Sequence, residues 1–165
     1  MVLGLLREEE AGTAPLAPAP RLADVEALVA AVRASGTPVE LQVSGADRQL
    51  SPALELSVYR VIQEALTNVV KHAPGARAAI DLAVSASQVR LEVADDGGPA
   101  GNGPAGNDPA GNEPAGNGPQ ASPGTGHGIV GMRERIGAFG GRLAAGPGAD
   151  RGYRVIAEIP IEGAL

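Results

Sequence analysis

Glu64, Asn68, Lys71 and His72 recur at helical spacing within Glu64-Ala-Leu-Thr-Asn68-Val-Val-Lys71-His72. At 3.6 residues per turn they fall within about a 100° arc, so one helix face would carry all four. Asn68 offers a neutral oxygen to a hard cation such as Mg2+, which keeps much of its water. Glu64 can order or deprotonate an attacking group, or hold a metal-bound water as a second metal-site residue. Lys71 and His72 can neutralise phosphate oxygens. A solvated face whose last turn carries Lys and His to complement the helix dipole has the same pattern.

Two other segments carry chemistry. Val89-Arg-Leu91-Glu-Val93 alternates, which puts Asp95-Asp96-Gly97 at a strand end. A carboxylate at Asp95 can accept a hydrogen bond from an amino group such as that of adenine. Gly97 lets the backbone approach a flat base without a Cβ clash. A plain Asp-Asp-Gly turn is the alternative. The third segment, Gly124-Thr-Gly126-His127-Gly128-Ile129-Val-Gly131-Met132, reads as a glycine-rich loop running into a helix. Its glycines expose N–H groups, and the helix points its positive end at them. That is an anion site, to which the dipole contributes about 0.3–1 kcal/mol. A flexible linker before a helix start has a similar composition, and no strand immediately precedes this loop, unlike the dinucleotide fingerprint. His127 can touch a phosphate or hold the loop by hydrogen bonds. A metal-ligating helix, an amino-group reader and a phosphate loop together point to an ATP site.

Recognisable elements surround these segments. Leu22, Val25, Leu28, Val29 and Val32 predict a helix over 22–35, stopped by Gly36. Val39-Glu-Leu41-Gln-Val43 predicts a strand. Ser51-Pro52 starts a long helix to His72, and Pro74-Gly75 ends it. Strands at about 77–86 and 88–95 form a hairpin; a helix near 128–139 precedes strands near 141–146 and 152–160. This order predicts a two-layer α/β (α+β) sandwich, its mixed, mostly antiparallel sheet covered by helices on one face. Residues 11–20 are a Pro/Ala-rich linker. Residues 99–118 are four Pro-Ala-Gly-Asn-x pentapeptides, too polar and too short to bury a face, and they read as a mobile loop.

Composition narrows the classes. With 165 residues the chain can bury one core, and with 2% aromatics Leu, Val, Ile and Ala must build it. There is no Cys, hence no disulfide frame or thiolate metal site. A net charge of −6, with 12 Arg and one Lys scattered, argues against nucleic acid as a partner. No run of about 18 apolar residues and no leader pattern stand out, so the expectation is a cytoplasmic domain without membrane contact, including the cytoplasmic part of a membrane-bound sensor.

The residues resemble the ATP-binding catalytic domain of sensor histidine kinases, specifically the nitrate-sensor-like class within the GHKL ATPase superfamily. Tyr59-Arg-Val-Ile-Gln-Glu64-Ala-Leu-Thr-Asn68-Val-Val-Lys71-His72-Ala resembles that family's N box. Asp95-Asp96-Gly97 is similar to its first glycine box. Gly124-Thr-Gly-His-Gly-Ile-Val-Gly-Met-Arg-Glu-Arg135, followed by Gly140-Gly141-Arg-Leu, is similar to its second. The resemblance covers about residues 37–160. It implies a Bergerat-type fold with ATP between the long helix and a mobile lid, the lid carrying the 99–118 insertion. Asn68 would ligate Mg2+, and Glu64 would assist phosphoryl transfer with Lys71 and His72 near the phosphates. Asp95 would read the adenine amino group with Gly97 beside the ring. Gly124, Gly126, His127, Gly128 and Ile129 would line the phosphate side. The acceptor would be a His on a separate dimerisation domain, with a response regulator downstream.

Three departures qualify this. The family's acidic box continues with a second Gly two residues on, where this chain has Pro99. The repeat lengthens the lid to 26 residues between Gly97 and Gly124. Roughly two doublings of loop length cost only about 1.2 kcal/mol on closure, which slows a lid without abolishing a site. No His precedes His72, and the opening Leu-Gly-Leu-Leu-Arg-Glu-Glu resembles the tail of a dimerisation hairpin. The expectation is an excised or truncated catalytic domain, monomeric alone, or one acting in trans. Two alternatives stand beside it: a stand-alone serine kinase of the anti-sigma-factor type, and a non-catalytic nucleotide-sensing module.

Overall fold

Burial of an apolar stripe on each helix against one sheet face organises the chain. The computed structural model describes residues 17–99, 125–149 and 151–161. A single 3-10 turn (Leu22–Asp24) leads into α1 (Val25–Ala34). There follow β1 (Val39–Ser44), α2 (Pro52–His72), β2 (Ala78–Val84), β3 (Gln88–Asp95), α3 (Thr125–Gly137), β4 (Arg142–Pro147) and β5 (Tyr153–Pro160). The repeat beyond Pro99, Gly124 and residues 1–16 lie outside the described residues.

The sheet order is β1-β2-β3-β5-β4. Only β1 and β2 run parallel, because α2 carries the chain back across the sheet between them; the other neighbours are antiparallel. Alternate residues of each strand face the helices. Ile80 and Leu82, Val89, Leu91 and Val93, and Val155, Ala157 and Ile159 are buried in one core with Val29 and Val32 of α1, Val58, Ile62 and Leu66 of α2, and Met132 and Ile136 of α3. Burying each such Leu, Ile, Val or Met stabilises by roughly 1.5–3 kcal/mol. The opposite face carries Arg90, Glu92, Arg154 and Glu158. Arg154 pairs with Glu92 at 3.1 Å, and Arg90 with Glu92 at 3.3 Å. These half-exposed pairs add little stability and keep that face in water. The architecture is the predicted two-layer sandwich.

The helix ends follow local chemistry. Ser51 Oγ accepts the Leu54 N–H at 3.3 Å, with Pro52 in the first turn. At the other end the Ala73 N–H reaches Val69 O, and Gly75 turns the chain with φ +82°. The start of the first helix is a 3-10 turn, held because Asp24 Oδ2 accepts the Arg21 N–H and Glu55 Oε2 of α2 accepts the Leu22 N–H. Helix α3 begins at Thr125, three residues ahead of the expected start near 128. Glycine disfavours helix, so Gly126 and Gly128 read locally as loop. Packing of Met132 and Ile136 into the core anchors the helix that carries them.

Candidate functional site

Glu64 and Asn68 lie one turn apart on α2, both half-buried, flanked by the buried Val61 and Ala65. This is the stripe anticipated from spacing. Lys71 and His72 continue it to the last turn, where both are exposed. Among the described residues neither has a hydrogen-bond or ion-pair partner, so both side chains are free to meet an anion, and the Lys71 charge complements the helix C-terminus.

The first turn of α3 lies against this stripe. A Cβ at Gly128 would collide with Glu64 Oε1 and come within 3.2 Å of Glu64 Cδ. The first turn of α3 thus sits directly on the Glu64 carboxylate, with glycine at the point of contact. Gly126 and His127 share that first turn, whose N–H groups lack intrahelical acceptors. His127 is exposed, and Ile129 is half-buried against the core. The glycines expected to form a loop are thus mostly the N-terminus of the helix itself, which retains the exposed donors and adds the dipole.

Asp95 ends β3 on the helix-facing side, in step with Leu91 and Val93. Its Oδ1 accepts the Gly97 N–H at 2.8 Å, and its Oδ2 accepts the Tyr153 N–H at 3.3 Å. Burial pushes its carboxyl above the ordinary 3.8, opposed by those two backbone bonds and assisted by the nearby Asp96 charge. Asp96 does the opposite work. It is exposed, and its Oδ1 accepts the N–H groups of Arg77 and Gly98, which hold its carboxyl below the ordinary range. One carboxylate staples the turn and the other is turned toward the helices.

The strand exit then runs past the end of α2. A Cβ at Gly98 would lie 3.0 Å from Pro74 O, and one at Gly75 would lie 3.0 Å from Pro99 Cδ. Pro99, the departure noted above, packs where α2 ends. The acidic turn is thereby tied to the helix bearing Asn68, Lys71 and His72. Glu64 and Gly128 form one cluster and Asp95 and Gly97 another. Gly124 lies outside the described residues.

The β4–β5 turn was not legible as part of this site. Gly152 has φ +75°, and a Cβ there would meet the Asp95 backbone carbonyl and approach Asp95 Oδ1 to 2.6 Å. Only the strand register, pairing Ala94 with Arg154, brings Gly152 and Tyr153 to Asp95. Gly152→Ala is expected to destabilise the fold by more than the roughly 1–2 kcal/mol of a left-handed non-glycine residue, because the clash adds to it. A lower urea midpoint with an unchanged slope is the check.

Among the described residues no group of three His, Cys, Asp or Glu side chains gathers to hold a metal. A hard cation at Asn68 and Glu64 would draw its other oxygens from phosphates and water, which is how Mg2+ is ordinarily held, so the donor set fits that ion. No helix among the described residues is long and apolar enough to cross a membrane.

Residues 53–163 match the family of histidine kinase-, DNA gyrase B-, and HSP90-like ATPases. The chain belongs to that family. Among its relatives, the sensor histidine kinase YxjM of Bacillus subtilis is 27% identical over 128 residues, covering 77% of this chain and 27% of the relative. The histidine-protein kinase/phosphatase UhpB of Salmonella typhimurium is 28% identical over 152 residues, covering 86% of this chain and 26% of the relative. This chain thus spans about a quarter of the length of these curated relatives. The histidine kinase domain of the Erythrobacter litoralis EL346 blue-light activated kinase superposes with a TM-score of 0.54 at 22% identity, covering 96% of this chain and 71% of that one. The catalytic domain of histidine kinase ThkA also gives 0.54, at 17% identity, covering 83% and 92%. The fold is that of histidine kinase catalytic domains, and the family is one of ATPases.

Proposed function

We propose that this domain binds Mg-ATP and transfers its γ-phosphoryl to a His on a helical dimerisation domain, from which a response regulator is then charged. The observation that carries the reading is the seating of the α3 first turn on Glu64, beside Asn68, while Asp95 faces the same helix layer from the strand end. Phosphoryl transfer needs positioning and charge neutralisation more than covalent help. Asp95 accepts the adenine amino group, with Gly97 at its side. The first-turn N–H groups of α3, with Gly124, Gly126, His127, Gly128 and Ile129, receive phosphate oxygens. Lys71 and His72 add positive charge nearby, and Glu64 orients or deprotonates the attacking group. Asn68, with Glu64 reaching it through a water, would hold a magnesium ion, which would supply charge neutralisation to the phosphates. We place the domain in the cytoplasm, where ATP and a response regulator are available.

The test has two stages. Titration calorimetry with ADP and ATP should show micromolar to millimolar binding, with the phosphate contribution dependent on Mg2+. Labelled ATP and a separately supplied dimerisation domain should then yield acid-labile phosphate on the acceptor. Acid-stable phosphate would instead assign a serine kinase, and saturable nucleotide binding without transfer to a competent acceptor would assign a sensing module.

A further inference from the structure

Tyr153 opens β5. Val155 pairs with Val93 and Arg154 with Ala94, so the next step sets Tyr153 beside Asp95 on the helix-facing side. Its own N–H donates to Asp95 Oδ2. The side chain is half-buried and packs on the rim of the core. Burial raises the phenol above its ordinary value, and the Arg133 guanidinium of α3 draws it back, so the two side chains lie within electrostatic reach. Tyr153 therefore lies beside Asp95 on the helix-facing side of the sheet, with Arg133 of α3 within electrostatic reach of its phenol.

The chain has two Tyr, one Phe and no Trp. Tyr59 belongs to a separate groove of about 590 Å3 with Pro18, Pro20, Leu28 and Val32. Phe139 follows the C-terminal end of α3, away from the turn that approaches Glu64. Among the described residues Tyr153 is thus the aromatic side chain placed at Asp95. A flat base held by its amino group at a carboxylate needs an apolar wall, and an aromatic ring supplies one.

We propose that Tyr153 is a specificity-determining residue of the nucleotide site, its ring forming the wall on which adenine rests once Asp95 holds the amino group. This rests on the nucleotide-binding reading above. Base–aromatic contacts of this kind set the expected loss at roughly ten- to a hundred-fold in affinity for Tyr153→Ala, equal for adenosine, ADP and ATP because only the base is affected. Tyr153→Phe keeps the ring and should bind almost as the parent does.

A second readout is independent of whether the truncated side chain disturbs the fold. In Tyr59→Phe, Tyr153 is the only tyrosine in a chain without Trp. Its emission, corrected for nucleotide absorption, should change on ADP titration with the same midpoint as the calorimetric heat. Saturable heat with flat emission, or a folded Tyr153→Ala that binds all three ligands as tightly as the parent, would overturn the assignment of Tyr153. Absence of heat with the parent protein would instead defeat the nucleotide reading on which it stands.

Discussion

Asn68→Ala should sharply slow magnesium-dependent phosphoryl transfer while the domain stays folded. Asn68 is half-buried in the last quarter of a 21-residue helix and its side chain makes no hydrogen bond among the described residues. Alanine is the better helix former, so truncation leaves the helix at least as stable. Removing one preorganised electrostatic group from a transition state typically costs about a hundred- to a thousand-fold in rate, and that is the expected fall. The adenine side is untouched, so ADP binding without Mg2+ should persist. The check combines circular dichroism, calorimetry with ADP in chelator, and transfer from labelled ATP to an added dimerisation domain. Transfer at the parent rate by a folded variant would remove Asn68 from the metal site.

Asp95→Asn should lose adenine nucleotide binding by about a hundredfold or more, and the preference for ATP over GTP with it. The change is isosteric but chemically asymmetric. Asp95 accepts two backbone N–H groups through different oxygens. An amide can serve only one of them, leaving the other facing an NH2 group, and adenine loses a charged acceptor. The pH dependence follows from the raised carboxyl. A group whose folded value lies above its unfolded one contributes stability that is fully present below the unfolded value, here the ordinary 3.8, and is lost as pH rises through the folded value. Ionised Asp95 is thus retained at a cost in stability, as befits a group kept for a ligand. Thermal melts across the acidic range should show the parent losing stability relative to Asp95→Asn as pH rises through that window. A parallel pair of curves would contradict the burial of Asp95, and undiminished ADP heat with the variant would contradict its role.

Much of this was legible in short-range pattern. The α2 stripe follows from period 3.6, β2 and β3 from period 2, and Ser51-Pro52 and Pro74-Gly75 mark where α2 starts and stops. Those signals are local because backbone geometry and capping are local. The start of α3 was misjudged for the opposite reason. Glycine's intrinsic preference says loop at 126 and 128, and contacts with distant residues outweigh that weak preference.

The linear chain thus marked candidate residues for metal, base and phosphate and the element on which each would ride, since side-chain type and periodicity are written in neighbouring positions. It could not say that Gly128 meets Glu64, that Pro99 rests at the end of α2, or that Gly152 and Tyr153 enclose Asp95. Those contacts join residues about 24 to 64 positions apart. They depend on strand register and helix packing, which are collective outcomes of burying one core, and no local pattern encodes them.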